Sequence, residues 1–135
     1  MIPSTLCFRT AMLFVLAGML WGLQMAITGD HSAFPAHAHL NLVGFVALFL
    51  FGIFYRLNPA VEANGLALPQ VWIWIGSTIV LAIGVGLVHT GHPVGDPIAA
   101  VGSFAIFADA IVFTWLVFQM RPAEHRAARA AVPAD

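Results

Sequence analysis

The feature that most constrains this chain is its division into four long apolar stretches that carry almost no charge. Each stretch holds about twenty residues, enough for an α-helix that rises about 1.5 Å per residue to cross a hydrocarbon layer roughly 30 Å thick. Lipid offers no partners to backbone polar groups, so each stretch must satisfy its own as a helix. The sequence therefore predicts an all-α integral membrane protein, a bundle of four transmembrane helices.

Turn residues set the predicted ends of these helices. Gly29 and Pro59 end the first two, because glycine suits a helix terminus and proline cannot continue a helix. Pro69 and the pair Asp96-Pro97 begin the last two as N-terminal signals. The predicted helices cover residues 10–28, 36–57, 69–88 and 97–120. They form a transmembrane domain of residues 1–121, which a cytoplasmic tail of residues 122–135 follows.

The composition agrees with a membrane protein and excludes several other classes. Hydrophobic residues make up 61% of the 135 residues and charged residues only 8%, with a mean hydropathy of +0.93. The single cysteine, Cys7, excludes an intramolecular disulfide and a cysteine-based zinc or iron–sulfur site. The only cluster of basic residues is the three arginines near the C-terminus, and the absence of a larger basic patch excludes nucleic acid as a partner.

A secretory signal peptide is the alternative interpretation of the first stretch. Arg9 precedes it, and Ala36-His37-Ala38 loosely matches a cleavage site between small residues. The apolar run is long for a signal peptide, and this site lies well beyond it. We therefore expect a retained helix.

The placement of arginine predicts the orientation. Arg9 precedes the first helix, Arg56 closes the second, and three more follow the fourth: Arg121, Arg126 and Arg129. By the positive-inside rule, the N-terminus, the middle connector and the C-terminus face the cytoplasm. The loops around His31 and around residues 89–96 then face outward. This orientation gathers five of the six histidines at one membrane face.

Two histidines at the start of the second helix are the strongest candidates for a binding site. His37 and His39 are two positions apart, about 200° around a helix axis, so they face in nearly opposite directions. His37 shares its face with Asn41 and Gly44. Imidazole nitrogens ligate haem iron, copper or zinc, and a membrane pair near an interface is a usual setting for b-type haem. The alternative is that both are interfacial histidines bonded to backbone and water.

A carboxyl group in the middle of the fourth helix is the second candidate. Asp109 is costly there if it is charged and unpaired, so it is protonated, bonded to a neighbouring helix or part of a proton route. Gln24, Thr78 or another subunit can supply its partner.

Three further histidines lie in the loops of the predicted outer face. His89 and His92 are candidate metal or propionate contacts, second-shell donors or proton acceptors, and the alternative is a solvated loop. His31 is a candidate polar contact of the same kind.

Residues 36–59 resemble the tenth helix of the catalytic subunit of haem-copper oxidases. The residues that carry the resemblance are the Ala36-His37-Ala38-His39 motif, Gly44, Gly52, Tyr55 and Pro59. In that family the first histidine ligates the high-spin haem and the second the low-spin haem, on opposite sides of the helix. The family's subunit has twelve helices in three arcs of four, with histidines on the second helix of each arc. This chain looks like a single arc.

The resemblance implies a homotrimer, surrounded by membrane lipids in a bacterial inner membrane, that rebuilds the threefold ring. It implies haem b between protomers, ligated by His39 of one chain and His37 of the next. The implied role is an electron carrier or oxidoreductase with an unidentified redox partner, or a sensor of haem or small gases. Oxygen reduction is not expected, because the family's copper centre needs a further histidine set and a neighbouring tyrosine. Here Tyr55 lies at the opposite end of the helix.

Two other functions stay open at this point. In the first, His37 or His39 combines with His89 and His92 to hold copper or zinc for delivery or assembly. In the second, the chain is a structural membrane protein without a cofactor.

Overall fold

The computed structural model describes residues 1–119, and that part of the chain consists of helices joined by short turns. Four helices are long and apolar enough to cross a membrane: α1 (Pro3–Thr28), α2 (Phe34–Leu57), α4 (Ala67–His89) and α5 (Gly95–Phe118). The short helix α3 (Pro59–Glu62) lies between α2 and α4. Residues 1–119 contain no strand, so the predicted all-α fold with four spans is confirmed. The predicted tail and the three C-terminal arginines lie outside the described residues.

Most helix ends lie near the predicted turns, and the start of α1 is the exception. Gly29 ends α1 in a left-handed conformation with φ 70°, and its N–H donates to the Met25 carbonyl at 2.9 Å. The helix begins at Pro3 instead of residue 10. Arg9 therefore lies within the helix, on an exposed face. The last helix begins after Val94, so Asp96 is not its cap. Asp96 lies in the first turn, where the helix dipole favours negative charge.

The beginning of α1 is completed by a residue far along the chain. The Ser4 N–H donates to Oε1 of Glu62 at 2.8 Å. First-turn N–H groups have no acceptor within their own helix, and a carboxylate near the positive end of a helix is stabilising. Ser4 is buried and Glu62 half-buried. This bond therefore fixes α3 against the beginning of α1.

The four long helices form an open row instead of a closed bundle. Helix α1 packs along α2, α2 against α4, and α4 against α5; smaller contacts join α1 to α4 and, through Phe113, α5 to α2. In the described chain, α1 and α5 are not packed along each other. Helix α4 is the most enclosed. The helices at the two ends of the row expose large apolar side chains such as Leu20 and Phe104.

Glycines allow the backbones of α4 and α5 to come close. A Cβ atom at Gly102 would lie 2.6 Å from the backbone nitrogen of Leu81, and one at Gly84 would overlap the backbone of Ala99. Small residues are the usual means of helix association in lipid, where no hydrophobic effect drives helices together. This pair of helices is therefore the most closely packed part of the row.

Helix α2 is not a regular α-helix along its whole length. An eight-residue π-helical segment, Leu40–Ala47, follows His39 directly. In a π-helix the hydrogen bonds run from i to i+5, and such segments occur frequently at functional sites. The hydrophobic pattern gave no sign of it, because a segment that is apolar except for Asn41 fits either helix type.

Candidate functional site

His37 lies half-buried between α1 and α2 and is anchored to the α1 backbone. Its Nδ1 lies 2.8 Å from the carbonyl oxygen of Gly18. A carbonyl oxygen only accepts hydrogen bonds, so Nδ1 carries the hydrogen and Nε2 carries the lone pair. The contact fixes the tautomer as well as the ring orientation.

Two glycines of α1 make the space that His37 and Asn41 occupy. A Cβ atom at Gly22 would lie 3.0 Å from Cε1 of His37, and one at Gly18 would overlap the Asn41 amide. This Gly-x-x-x-Gly pair therefore accommodates polar side chains of α2 in addition to bringing the helices together.

Asn41 holds the His37 region through its amide. Its Nδ2 donates to the His37 carbonyl at 3.2 Å and lies 3.2 Å from Nε2 and 3.4 Å from Nδ1 of the same residue. An atom in the ring plane at these nearly equal distances would overlap ring carbons, so the amide lies over the face of the ring. The in-plane lone pair of Nε2 is therefore not directed at Asn41.

His39 is anchored within its own helix. Its Nδ1 donates to the Pro35 carbonyl at 2.7 Å, which again leaves the lone pair on Nε2. The side chain is half-buried, and Nε2 makes no hydrogen bond with residues 1–119. Of the two histidines, His39 has the less obstructed nitrogen.

Gly44, the other predicted member of this site, contacts a phenylalanine. It is buried, and a Cβ atom there would lie 2.9 Å from Cγ of Phe14 on α1. His37, Asn41 and Gly44 thus all contact α1, as their shared face predicts. Gly44 contributes close packing at this position.

The three loop histidines lie exposed and apart from this pair. His31 Nδ1 lies 3.1 Å from the Gly29 carbonyl, and His89 Nδ1 lies 2.9 Å from the Val85 carbonyl. His92 contacts the Thr90 hydroxyl at 3.1 Å. No three histidine, cysteine, aspartate or glutamate side chains in the described part of the chain lie close enough to share a metal ion. In residues 1–119, the predicted combination of His37 or His39 with His89 and His92 is therefore not gathered as a three-residue group.

The loop between α1 and α2 carries a carboxylate that is held by backbone. Asp30 Oδ1 accepts the Ser32 N–H at 2.9 Å. Hydrogen bonds from Ser32 lower the pKa of the exposed Asp30 carboxyl. This loop is therefore negatively charged at neutral pH, next to His31.

A second group of polar side chains lies near the end of α2 and the beginning of α4. Asp109 Oδ2 accepts a hydrogen bond from Gln70 Nε2 at 2.7 Å, and Gln70 Oε1 accepts one from the Tyr55 hydroxyl at 2.7 Å. The exposed fractions of Tyr55, Gln70 and Asp109 are 0%, 1% and 2%. These bonds connect α2, α4 and α5.

The predicted partners of Asp109 are not the ones that it uses. Gln24 is exposed on α1. Thr78 is buried, but its hydroxyl makes no hydrogen bond within residues 1–119. Gln70 was missed because it was placed next to the helix start. Since α4 begins at Ala67, Gln70 lies a full turn inside it and reaches α5.

Aromatic side chains surround this polar group. The Phe113 ring of α5 stacks on Phe51 with centroids 3.8 Å apart and lies edge-on to Tyr55 at 5.9 Å. Trp74 packs on Phe51 at 4.6 Å, and its indole N–H donates to the Val43 carbonyl at 3.0 Å. The surroundings of the Tyr55–Gln70–Asp109 chain are therefore apolar.

Comparison with protein-family models, with curated proteins and with solved structures finds no match for this chain. The chemistry of its two polar regions is therefore judged from their own geometry.

Proposed function

We propose that this protein binds haem b through His39 and His37 and serves electron transfer, or the sensing of haem or small gases. The observation that carries the proposal is that both imidazoles donate Nδ1–H to a backbone carbonyl and keep a lone pair on Nε2. Metal-ligating histidines usually have this arrangement, because the second nitrogen then fixes the ring and the tautomer. When bound, a haem supplies one-electron chemistry.

The two histidines fit this role to different degrees. His39 is half-buried, and its Nε2 makes no hydrogen bond with residues 1–119. His37 has the same backbone anchor, but the Asn41 amide lies 3.2 Å from its Nε2. In this proposal His39 is the principal ligand, and His37, with the Asn41 amide over its ring face, is the second.

The proposal includes a homotrimer in a bacterial inner membrane, with its N-terminus in the cytoplasm. The open row supports it, because α1 and α5 leave apolar faces available at both ends. Three rows joined end to end would close a ring. His39 of one protomer and His37 of the next would then share one haem.

The test is the visible spectrum of the purified full-length chain, expressed with ample haem, together with pyridine haemochrome analysis. We expect a reduced b-type spectrum, which His39→Ala abolishes. The matched control is His89→Ala, because His89 is anchored to its own helix in the same way, through the Val85 carbonyl at 2.9 Å, but is exposed. This variant should keep the full haem content.

Two results would contradict the proposal. A wild-type protein without haem, or a His39→Ala variant with unchanged haem content, would exclude His39-ligated haem. Metal analysis of the same samples addresses the alternative function: copper or zinc that is lost in both His39→Ala and His89→Ala would indicate a metal site shared between chains. Protein with neither haem nor metal would favour a structural role.

A further inference from the structure

The Asp109 carboxyl uses only one of its two oxygen atoms. Oδ2 accepts from Gln70, whereas Oδ1 is buried and makes no hydrogen bond in the described part of the chain. Asp109 lies nine residues before Phe118, where α5 ends, or about 14 Å at the rise of an α-helix. The carboxyl group is thus about 14 Å from the end of α5, whereas its partners Gln70 and Tyr55 lie near the beginning of α4 and the end of α2.

The direction of the two hydrogen bonds suits an ionised Asp109, because a carboxylate only accepts hydrogen bonds. The Tyr55 hydroxyl donates to Gln70 Oε1, so the Gln70 amide nitrogen faces Asp109 and Oδ2 acts as an acceptor. An ionised carboxylate therefore has one donor for two oxygens in apolar surroundings, which is unfavourable.

The same three side chains can also accommodate the neutral acid. A half-turn of the Gln70 amide would present Oε1 to Asp109 and Nε2 to Tyr55. A protonated Oδ2 would then donate to Oε1, and the phenolic oxygen would accept from Nε2, because a hydroxyl can both donate and accept. No side chain has to change its position in the helix row. Both charge states therefore keep two hydrogen bonds between Tyr55, Gln70 and Asp109, and the reversed arrangement leaves the Tyr55 hydrogen without its acceptor.

We propose that Asp109 is a reversible proton-binding site within the membrane span, and that binding of the proton reverses both hydrogen bonds of this chain. The proposal does not depend on haem. The titratable groups nearby are few: Tyr55 belongs to the hydrogen-bond chain and comes from α2, and Cys7 of α1 and Glu62 of α3 are the other titratable groups near Tyr55. The side chain that α4 supplies to Asp109, Gln70, is itself uncharged. Protonation of Asp109 on α5 thus changes the direction of the hydrogen bond that Tyr55 makes on α2.

The test is infrared difference spectroscopy of the full-length protein during a pH titration. We expect a C=O stretching band of a neutral carboxylic acid that grows as the pH falls and is absent from Asp109→Asn. The matched control is Thr78→Val, which removes a buried hydroxyl of α4 that makes no hydrogen bond with Tyr55, Gln70 or Asp109. This variant should keep the band and its midpoint.

Tyr55→Phe tests the reversal of the hydrogen bonds. It removes the O–H that holds Gln70 in the orientation suited to the ionised acid. The band should then appear at a pH higher by about one unit, the equivalent of about 1.4 kcal/mol. An Asp109 band that is constant or absent at every pH at which the protein stays folded would overturn the proton site. A midpoint that Tyr55→Phe leaves unchanged would overturn the reversal.

Discussion

The two ends of α2 use polar side chains in different ways. At the histidine end, His37 and His39 are half-buried, bind backbone carbonyls and keep one ring nitrogen available. At the aspartate end, Tyr55, Gln70 and Asp109 are fully buried and bind one another. Groups that are bonded to each other connect helices, whereas groups with an unused lone pair can meet something outside the chain. The aspartate end therefore makes most of the polar contribution to stability, whereas the histidine end offers ring nitrogens that are not used in bonds between helices.

The largest effect should come from Gln70→Leu at the aspartate end. Within residues 1–119, the substitution removes the donor to Asp109 and the acceptor of Tyr55, so we expect the free energy of unfolding to fall by about 3–5 kcal/mol. Unfolding in mixed detergent measures it. The matched control is Gln24→Leu, on an exposed face of α1, which should change stability by less than about 0.5 kcal/mol. Equal effects of the two would contradict the role of Gln70.

The next effect should come from Gly18→Ala at the histidine end. The added methyl group would overlap the Asn41 amide, and we expect a loss of about 1–3 kcal/mol from overpacking. Unfolding of the double variant Gly18→Ala/Asn41→Ala should recover part of that loss, because the overlapping group is gone. Gly76→Ala is the control, since a Cβ atom there meets nothing within 4 Å. A loss in Gly76→Ala as large as in Gly18→Ala would exclude the steric explanation.

Thr78→Val should have a smaller effect of the opposite sign. The Thr78 hydroxyl is buried without a partner in the described chain, so its replacement by a methyl group should stabilise the protein by about 1 kcal/mol. The midpoint of detergent unfolding measures the change. A destabilised variant would show that this hydroxyl has a partner, which would weaken the view that only paired groups stabilise the aspartate end.

The smallest effect should come from His39→Ala. Its only hydrogen bond is to a carbonyl of its own helix, so we expect the free energy of unfolding of the ligand-free protein to change by less than about 0.5 kcal/mol. His37→Ala should cost about 1 kcal/mol, because it breaks a bond between α1 and α2. If His39→Ala were the more damaging variant, His39 would be a structural residue and the contrast between the two ends would fail.

The apolar stretches alone predicted the four spans, because length and hydropathy are strong signals in a chain with so little charge. The beginning of α1 was placed too late, since Arg9 was assumed to precede the helix. A single exposed arginine is tolerated within a helix, because its long side chain can extend towards the membrane surface. The π-helical segment Leu40–Ala47 could not be predicted from its apolar residues.

The placement of side chains along one helix could be predicted from the sequence, whereas contacts between side chains of two helices could not. Helical spacing placed His37, Asn41 and Gly44 on one face, and all three contact α1. The bond between Gln70 and Asp109 depends on the register of α4 against α5, which the pattern of one helix does not contain. For the same reason Gln24 was a candidate partner although its side chain faces outward.

The bond between Ser4 and Glu62 has a consequence for the order in which the protein is made. Synthesis must pass residue 62, after the whole of α2, before the acceptor of the Ser4 N–H exists. The opening turn of the first helix is therefore completed only after α2 has been made, and it can fray until the α1–α2 hairpin has closed. A nascent chain halted before Glu62 would leave that turn accessible to exchange or cleavage.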